Sequence, residues 1–316
     1  MASSVLPGFL VACIGYACGF ARSLAAALGS ELVEVYAKNF PDGESYVRVE
    51  AEAKGRVTLA VFTGYPEPSR RLVEGLLLVE ALKGLGSYGV VAFPLYLPYS
   101  RQDRRFLRGE PVSVRAVLVS LAAAGADMLA TVDVHKPESL NWFPGPTLNL
   151  DPAPVFSDAL VRELGGERLH VIAPDRGALG RARRLAELLD AAHDYLEKRR
   201  DRVTGEVVFK PKTLDLKSAT IVVVDDILST GGTLAKAVNS LVRHGAQRVV
   251  AAITHCLMVG DAVKKLEESG LDKLYCLNTV KPSWHRAVVL DAGALAAAGV
   301  REMAATLYGY ESEAPR

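Results

Sequence analysis

The chain has almost no net charge: 37 Lys and Arg residues stand against 36 Asp and Glu among its 316 residues. A balanced chain has no overall field to hold it on DNA or on an anionic membrane, although a local cluster can still bind phosphate. We therefore expect no nucleic-acid partner and no membrane. Half of the residues are hydrophobic, which is typical of a soluble globular protein, and the length favours two domains.

Cysteines and side-chain amides are also scarce. The four cysteines, Cys13, Cys18, Cys256 and Cys276, form no C-x-x-C pair of a zinc or thioredoxin-like site. A chain of this length does not need disulfides to hold its core, so we expect buried thiols and a cytoplasmic protein. Asn and Gln together number seven. Such scarcity is one mark of heat-adapted proteins, although genome base composition produces it as well.

No charged residue occurs from Met1 to Ala21, and Val5–Phe20 is mostly apolar. A signal peptide or a membrane anchor has this character. However, no basic residue precedes the apolar run, and prolines and glycines interrupt it, whereas a spanning helix needs about 20 apolar residues. We instead expect a buried strand at Phe9–Ile14 and a helix near Arg22–Leu28.

Further along, short runs rich in Val, Ile and Leu alternate with longer stretches whose apolar residues recur at helical spacing. The predicted strands are Val57–Phe62, Val90–Leu97, Met128–Val134, Leu169–Ala173, Thr220–Val224 and Arg248–Thr254. The predicted helices are Ser69–Lys83, Ser113–Ala124, Gly177–Leu189 and Thr233–His244. This alternation predicts an α/β fold with mostly parallel sheets flanked by helices, and such sheets bind ligands beyond the carboxyl ends of their strands.

A weak internal repeat supports two similar halves. Residues 120–135 share five identities with residues 240–255, including the terminal His135 and His255. These matches are too few to establish a duplication. Two prolines near Asp151 suit a linker. We predict an N-terminal domain over residues 1–150 and a C-terminal domain over 151–289, and the segment at about 290–310 could pack back on the first domain.

The most informative stretch is Ile221–Thr233, IVVVDDILSTGGT. A buried strand delivers Asp225 and Asp226, whose carboxylates can accept from two neighbouring hydroxyls of a sugar. Ser229, Thr230, Gly231, Gly232 and Thr233 then form a tight loop, where backbone N–H groups and hydroxyls can meet an anion at a helix N-terminus. A diol at one end and a phosphate at the other describe a sugar phosphate; the alternative is a solvated turn with a helix cap.

This stretch resembles the phosphoribosyl-diphosphate motif shared by phosphoribosyltransferases and ribose-phosphate diphosphokinase (PRPP synthetase). Four further stretches, in order along the chain, resemble only the PRPP synthetase family, and some choices are similar to its archaeal members. The resemblance spans about Asn39 to Asn278. It implies two phosphoribosyltransferase-type domains, the first with loops for ATP and the second with the ribose 5-phosphate site and a catalytic flap.

Two of these stretches imply an ATP site. Phe40–Glu44 (FPDGE) is similar to the family's F-x-D-G-E loop, which binds ATP at a neighbouring subunit's site; alone, Asp-Gly is more often a hairpin turn. Pro98–Arg104 (PYSRQDR) resembles the P-Y-x-R-Q-D-R loop, whose Arg can pair with phosphate; alone, such an Arg is usually a solvated charge. The resemblance assigns ATP to Phe40, Asp42, Gly43, Glu44, Arg101, Gln102 and Asp103, and implies a homo-oligomer with shared sites.

The other two stretches imply a metal. Val132–His135 is similar to the family's V-D-x-H, and Pro174–Ala182 to P-D-x-G-x-x-x-R-A. The family's metal ligands map onto His135 and Asp175, with Mg²⁺ as the cofactor, although a single His at a strand end is more often structural. Mg²⁺ needs few protein ligands when phosphate oxygens and water complete its shell, so a sparse pair suffices.

A charge run at Glu197–Arg202 precedes a polar, glycine-bearing stretch. Alone it indicates a solvated loop. It matches the family's K-x-R flap, which implies catalytic roles for Lys198 and Arg200, with Arg200 also on the ribose 5-phosphate. A mobile cationic flap suits a reaction that moves a highly charged group. Departures at Ala178, Ser229 and 136–140, and the divergent end after Pro282, mean that regulation by phosphate or ADP is not carried over.

The sequence therefore predicts an enzyme that transfers the diphosphoryl group of ATP to the C1 hydroxyl of ribose 5-phosphate for nucleotide biosynthesis. Two alternatives stay open. A phosphoribosyltransferase would share the Asp225–Thr233 motif without needing the Phe40 and Arg101 loops, and a regulatory subunit of the synthetase would bind without catalysis. The intact His135, Asp175, Lys198 and Arg200 argue against a silent subunit.

Overall fold

The computed structural model describes residues 7–200, 207–211, 216 and 219–308. Within these residues the strands are β1 (Phe9–Cys13), β2 (Glu31–Glu34), β3 (Tyr36–Asn39), β4 (Ser45–Arg48), β5 (Val57–Phe62), β6 (Gly89–Pro94), β7 (Met128–Val132), β8 (Thr147–Leu150), β9 (Leu169–Ala173), β10 (Ala192–Arg200), β11 (Val207–Pro211), β12 (Thr220–Leu228), β13 (Arg248–Cys256), β14 (Lys273–Leu277) and β15 (Ala287–Leu290). The helices are α1 (Cys18–Leu28), α2 (Pro68–Gly84), α3 (Ser113–Ala123), α4 (Ala153–Leu164), α5 (Leu179–Leu189), α6 (Gly232–Arg243), α7 (Ala262–Glu267) and α8 (Gly293–Tyr308).

These elements form two compact units. The first contains the chain up to Leu150, together with Asn278–Val280 and the segment from Asp291 onward. The second contains Asp151–Leu277 and Lys281–Leu290. Each unit has its own sheet and its own apolar core.

The first unit is built on a six-stranded sheet of order β2-β1-β5-β6-β7-β8, in which every neighbouring pair is parallel. Strands β1, β5, β6 and β7 are buried along their whole length, as expected for a parallel sheet covered by helices. Helix α8 packs on α1 so closely that a Cβ at Gly293 would lie 2.2 Å from the carbonyl oxygen of Phe20. A small antiparallel hairpin, β3-β4, adjoins the sheet's first strands.

The second unit is built on a seven-stranded sheet of order β11-β10-β9-β12-β13-β14-β15. Only the β10-β11 pair is antiparallel among its described strands. Strands β12 and β13 are the longest central pair, and Ile221–Val224 is fully buried between helices. The carboxyl ends of β9, β10 and β12 therefore meet at one edge of this sheet.

The predicted α/β class is confirmed, and so are the predicted core strands and helices, with ends shifted by a few residues. The apolar N-terminal run does contain a strand, β1, whose five residues are all buried in the first unit. None of the described helices is both long enough and apolar enough to cross a membrane. Strand β12 runs four residues further than predicted, so Asp225 and Asp226 lie within it.

The expectation of free thiols is wrong. Cys13 is joined to Cys18 in the first unit, and Cys256 to Cys276 in the second. Spacing could not reveal these pairs, because the fold brings each pair together. Disulfides are rare in intracellular proteins, except in those of hyperthermophiles. The two disulfides and the scarcity of Asn and Gln are both features of heat-adapted proteins. The argument from free thiols for a reducing compartment no longer stands.

Candidate active site

Two adjacent carboxylates dominate the carboxyl edge of the second unit's sheet. Asp225 and Asp226 follow four buried residues of β12, and Asp226 is 4% exposed. The backbone N–H of Asp226 donates to Asp225 Oδ1 at 3.0 Å. Arg181, on α5, places Nη2 3.6 Å from Asp226 Oδ2. Arg181 therefore brings a positive charge to this acid pair.

This arrangement gives the two acids different charge states. Burial, and next the negative charge of Asp226, raise the pKa of Asp225 to about 8, and Arg181 opposes them only in part. The pair therefore holds a proton to higher pH than an isolated carboxyl group would, and Asp226 is the member whose carboxylate faces the guanidinium. A protonated carboxyl next to a carboxylate offers both a donor and acceptors, which is the set needed to hold two neighbouring hydroxyls.

The loop after β12 is shaped for an anion. Gly231 has a φ of +73° and is the N-cap of α6, and its carbonyl accepts from Ala235 N–H at 2.9 Å. A Cβ at Gly231 would lie 3.2 Å from both Cα and the carbonyl oxygen of Ala262, so space and backbone conformation both favour glycine. The first N–H groups of α6 and the neighbouring hydroxyls of Ser229, Thr230 and Thr233 bring several donors to this helix N-terminus.

Asp175 lies at the same edge, because β9 is the parallel neighbour of β12. It is the N-cap of a short 3₁₀ turn, Arg176–Ala178, and its Oδ1 accepts from Gly177 N–H at 2.7 Å. This bond fixes the carboxylate beside the turn. Asp175 in the turn after β9, the acid pair near the end of β12 and the phosphate loop after β12 thus lie at the carboxyl ends of two adjacent strands.

In the first unit, Phe40–Glu44 forms the tip of the β3-β4 hairpin. Phe40 N–H donates to the carbonyl of Glu44 at 2.8 Å, and Gly43, with a φ of +95°, donates back to the carbonyl of Phe40. Asp42 Oδ1 accepts from Glu44 N–H at 3.1 Å. The Phe40 ring is 40% exposed and packs edge-on against Tyr46, with centroids 5.7 Å apart. The hairpin therefore presents an aromatic ring and two carboxylates to solvent.

The second predicted loop of this unit begins after β6. Tyr99 adopts a φ of +63° and its hydroxyl lies 2.7 Å from that of Ser69. Its carbonyl accepts from Gln102 N–H at 3.2 Å, which forms a turn that exposes Arg101 and leaves Gln102 and Asp103 half-buried. Strands β2 and β6 both run parallel to their sheet neighbours, so the hairpin and this loop start from the same sheet edge.

His135 follows β7, the parallel neighbour of β6. Asp133, with a φ of +41°, turns the chain, and Asn149 Oδ1 accepts from Val134 N–H at 2.9 Å. These contacts fix the backbone on which half-buried His135 lies. Among the residues that the structure describes, no group of three or more His, Cys, Asp or Glu could hold a metal ion. His135 belongs to the first unit and Asp175 to the second, and each offers a side-chain donor that Mg²⁺ can accept when substrate phosphates and water complete its shell.

The structure leaves one predicted set without a side-chain description. Lys198 and Arg200 belong to β10, which pairs with β11, but their side chains and most of the flap fall outside the described residues. Conversely, sequence reasoning gave no role to Arg181, although it is the Arg of the P-D-x-G-x-x-x-R-A stretch. Its position six residues after Asp175, on a helix leaving the same edge, was the available signal.

Two family models match the chain in succession. Residues 12–125 match the N-terminal domain of ribose phosphate pyrophosphokinase, and residues 156–289 match the phosphoribosyl transferase domain. The first match covers the hairpin and the Arg101 loop. The second covers Asp175, the acid pair and the phosphate loop.

Relatives and a solved structure agree with the models. The chain is 39% identical over 274 residues to the ribose-phosphate pyrophosphokinase of Sulfurisphaera tokodaii, covering 86% of this chain and 94% of the relative. It is 41% identical over 271 residues to that of Aeropyrum pernix, covering 84% and 86%. The crystal structure of phosphoribosylpyrophosphate synthetase from Mycobacterium smegmatis matches with a TM-score of 0.81 at 28% identity, covering 95% of this chain and 99% of that one. The chain belongs to the ribose-phosphate pyrophosphokinase family.

Proposed function

We propose that this protein transfers the diphosphoryl group of ATP to ribose 5-phosphate, which gives 5-phosphoribosyl 1-diphosphate and AMP for nucleotide biosynthesis. The observation that carries this proposal is the acid pair joined to an anion-binding loop at the end of β12, in a chain of the ribose-phosphate pyrophosphokinase family. Because ATP and ribose 5-phosphate are small cytoplasmic metabolites, we propose the cytoplasm as its location.

Ribose 5-phosphate binds at the carboxyl edge of the second unit in this proposal. Asp226 accepts from one ring hydroxyl, while protonated Asp225 donates to or accepts from its neighbour. The hydroxyls of Ser229, Thr230 and Thr233 and the N–H groups at Gly231 and Gly232 hold the 5-phosphate. The sugar is thereby fixed at both ends, and its anomeric hydroxyl has a defined direction.

ATP binds to the loops of the first unit. The exposed ring of Phe40 stacks on the base, while Asp42, Glu44 and the backbone at Gly43 contact the adenosine. Arg101 pairs with phosphate, and Gln102 and Asp103 read the nucleotide's polar edges. We propose that the chain forms a homo-oligomer in which the Phe40 hairpin completes a neighbouring subunit's site.

Catalysis consists of positioning and charge stabilisation. The anomeric oxygen attacks the β-phosphorus in line, the bond from that phosphorus to the α,β-bridging oxygen breaks, AMP leaves, and the hydroxyl proton passes to solvent. Lys198 and Arg200 stabilise the charge on the equatorial oxygens, and Arg200 also holds the sugar phosphate. His135 and Asp175 would hold Mg²⁺, which neutralises phosphate charge when bound.

A phosphoribosyltransferase remains the second candidate, because the Asp225–Thr233 motif suits either activity. The match of residues 12–125 to the N-terminal domain of ribose phosphate pyrophosphokinase favours the diphosphokinase. A binding-only subunit is the third candidate, and the presence of His135, Asp175, Lys198 and Arg200 speaks against it.

The deciding measurement is AMP release from ATP and Mg²⁺, with and without ribose 5-phosphate. We expect AMP and 5-phosphoribosyl 1-diphosphate in equal amounts, and only when the sugar phosphate is present. Absence of sugar-dependent AMP would rule out the diphosphokinase. Consumption of 5-phosphoribosyl 1-diphosphate with a free purine or pyrimidine base would instead establish the phosphoribosyltransferase.

A further inference from the structure

A second segment of the chain supports the phosphate loop from behind. In the β12-β13 register, Cys256 lies directly opposite Leu228, the residue before Ser229. Beyond the strand, Met258 N–H donates to the carbonyl of Leu228 at 3.1 Å, and Val259 N–H donates to the carbonyl of Ser229 at 2.9 Å. The backbone that enters the phosphate loop is thus tied to the three residues that follow Cys256.

Two more contacts reach the loop from the same segment. Ala262, the first residue of α7, is the neighbour that would meet a Cβ at Gly231. Lys265 Nζ donates to the carbonyl of Thr230 at 3.3 Å and to Asp261 Oδ1 at 2.7 Å. From Ser229 to Gly231, each loop residue therefore contacts the 257–265 segment. The geometry of this segment determines the geometry of the loop.

The Cys256–Cys276 disulfide fixes the origin of that segment. Strand β13 is in register with β14 as far as Ile253 opposite Cys276, and its last two residues, His255 and Cys256, lie opposite Ile227 and Leu228 of β12. The disulfide joins β13 to β14 at this point, with 6.1 Å between the two Cα atoms. Both cysteines are fully buried, and Met258, with a φ of +52°, packs in the same apolar core.

We propose that Cys256 and Cys276 are positioning residues for substrate binding: their disulfide holds the 257–265 segment, which holds the phosphate loop in the shape that binds ribose 5-phosphate. This inference rests on the proposed function. Without the bond, the end of β13 can shift relative to β14, and the shift passes directly to the carbonyl groups of Leu228 and Ser229. A displacement of the donors around the 5-phosphate weakens sugar binding and leaves the ATP loops of the first unit unchanged.

The chain offers a matched control, because its other disulfide, Cys13–Cys18, lies in the first unit, whereas the phosphate loop lies in the second. The double variant Cys256→Ala/Cys276→Ala is compared with Cys13→Ala/Cys18→Ala and with the wild type. We expect the first variant to raise the KM for ribose 5-phosphate about tenfold and to change the KM for ATP less than about twofold. The control variant should change neither constant by more than about twofold. Calorimetric titration with ribose 5-phosphate should show the same loss of affinity.

A second measurement distinguishes loss of the disulfide from a general failure of the double variant to fold. In the Cys13→Ala/Cys18→Ala protein, Cys256–Cys276 is the one disulfide that a reductant can open, and mass spectrometry after alkylation counts the thiols released. Reduction should raise the KM for ribose 5-phosphate as the double alanine variant does. An unchanged KM for the sugar, or equal rises for sugar and ATP, overturns the inference. If the wild type releases no sugar-dependent AMP, the proposed function fails instead, and titration with inorganic phosphate still tests the loop.

Discussion

The two edges of the second unit's sheet carry charge in opposite ways. At the carboxyl edge, two acids are adjacent near the end of β12, and Arg181 Nη2 lies 3.6 Å from Asp226 Oδ2. Asp226 is almost fully buried, and the charge of Asp226 contributes to the raised pKa of Asp225. Two carboxylates this close cannot both be ionised without destabilising the folded protein, so the pair retains a proton at neutral pH.

At the amino edge, opposite charges alternate. Arg248, the first residue of β13, places Nη1 3.3 Å from Glu167 and Nη2 3.7 Å from Glu163, and its Nε donates to Asp272. Lys273, the first residue of β14, donates to Glu163. Cations and acids here neutralise one another over the ends of four elements.

The contrast separates binding from stability. The amino-edge groups pair with one another, whereas at the carboxyl edge two acids lie side by side, with oxygen atoms that the hydroxyl groups of a sugar can meet. Clusters of like charge are typical of functional sites, and networks in which cations pair with acids are typical of structural support. Substitutions at the carboxyl edge should therefore change activity, and substitutions at the amino edge should change stability.

The largest effect is expected from Lys198→Ala, on the strand that ends at the carboxyl edge. Loss of a cation that stabilises the transferred group should lower kcat about 1,000-fold or more and leave the KM values within about threefold. The control is Lys264→Ala, which removes an exposed lysine whose Nζ lies 4.0 Å from Glu268 Oε1. Steady-state AMP release measures both variants, and a loss below about tenfold in Lys198→Ala would remove this residue from catalysis.

The acid pair provides the next test, because its two members should respond differently. Asp226→Asn removes the carboxylate that accepts from the sugar, and we expect kcat/KM for ribose 5-phosphate to fall about 100-fold. Asp225→Asn keeps a donor and an acceptor and should cost about tenfold or less. Equal losses in the two variants would contradict the assigned charge states.

Asp225→Asn should lower activity but raise the thermal midpoint relative to the wild type as the pH increases. The pKa of Asp225 rises from 3.8 to about 8 on folding, so its stabilising contribution is complete below pH 3.8 and is lost as pH rises through 8. The asparagine variant has no such loss. Its thermal midpoint relative to the wild type should therefore increase between pH 5 and pH 9, as followed by circular dichroism, and a constant difference would be the contrary result.

At the amino edge, Arg248→Met should destabilise the protein by about 2 kcal/mol, since it leaves three acids with fewer partners. The residue is 30% exposed in its side chain, so salt should reduce the difference from the wild type. Denaturant unfolding gives the free energy, and kcat at a temperature where both proteins are folded should be unchanged. A fall in kcat there would mean that this edge also supports the site.

Most of the central strands and the sugar-phosphate site could be predicted from the sequence, because a buried parallel strand has a continuous run of apolar residues. The run Ile221–Val224 predicted β12, and the acids and glycines after it predicted the sugar-phosphate site. The short strands β2, β8 and β15 were not predicted, since four residues with mixed burial give no clear period.

Contacts that depend on which strands pair, and in which register, could not be predicted from the sequence. Cys256 and Cys276 are 20 residues apart, and only the pairing of β13 with β14 brings them together. Arg181 is a partial exception: its spacing from Asp175 is a signal in the sequence, but its contact with Asp226 depends on how α5 packs beside β12.

The smallest expected change is at Arg181. This arginine pairs with an acid at the carboxyl edge, as Arg248 does at the amino edge, so it tests whether the two edges really differ. Arg181→Met leaves both acids without this counter-ion, so the pKa of Asp225 should rise further and the pair should hold its shared proton to higher pH. We expect the KM for ribose 5-phosphate to rise about tenfold, with its pH profile displaced upward, and kcat to fall less.

Arg181→Lys keeps the charge and should restore the pH profile but only part of the affinity, because lysine lacks the planar fork. If Arg181→Met changes the thermal midpoint alone, Arg181 belongs with Arg248 as a stabilising residue, and the division between the two edges fails at this position.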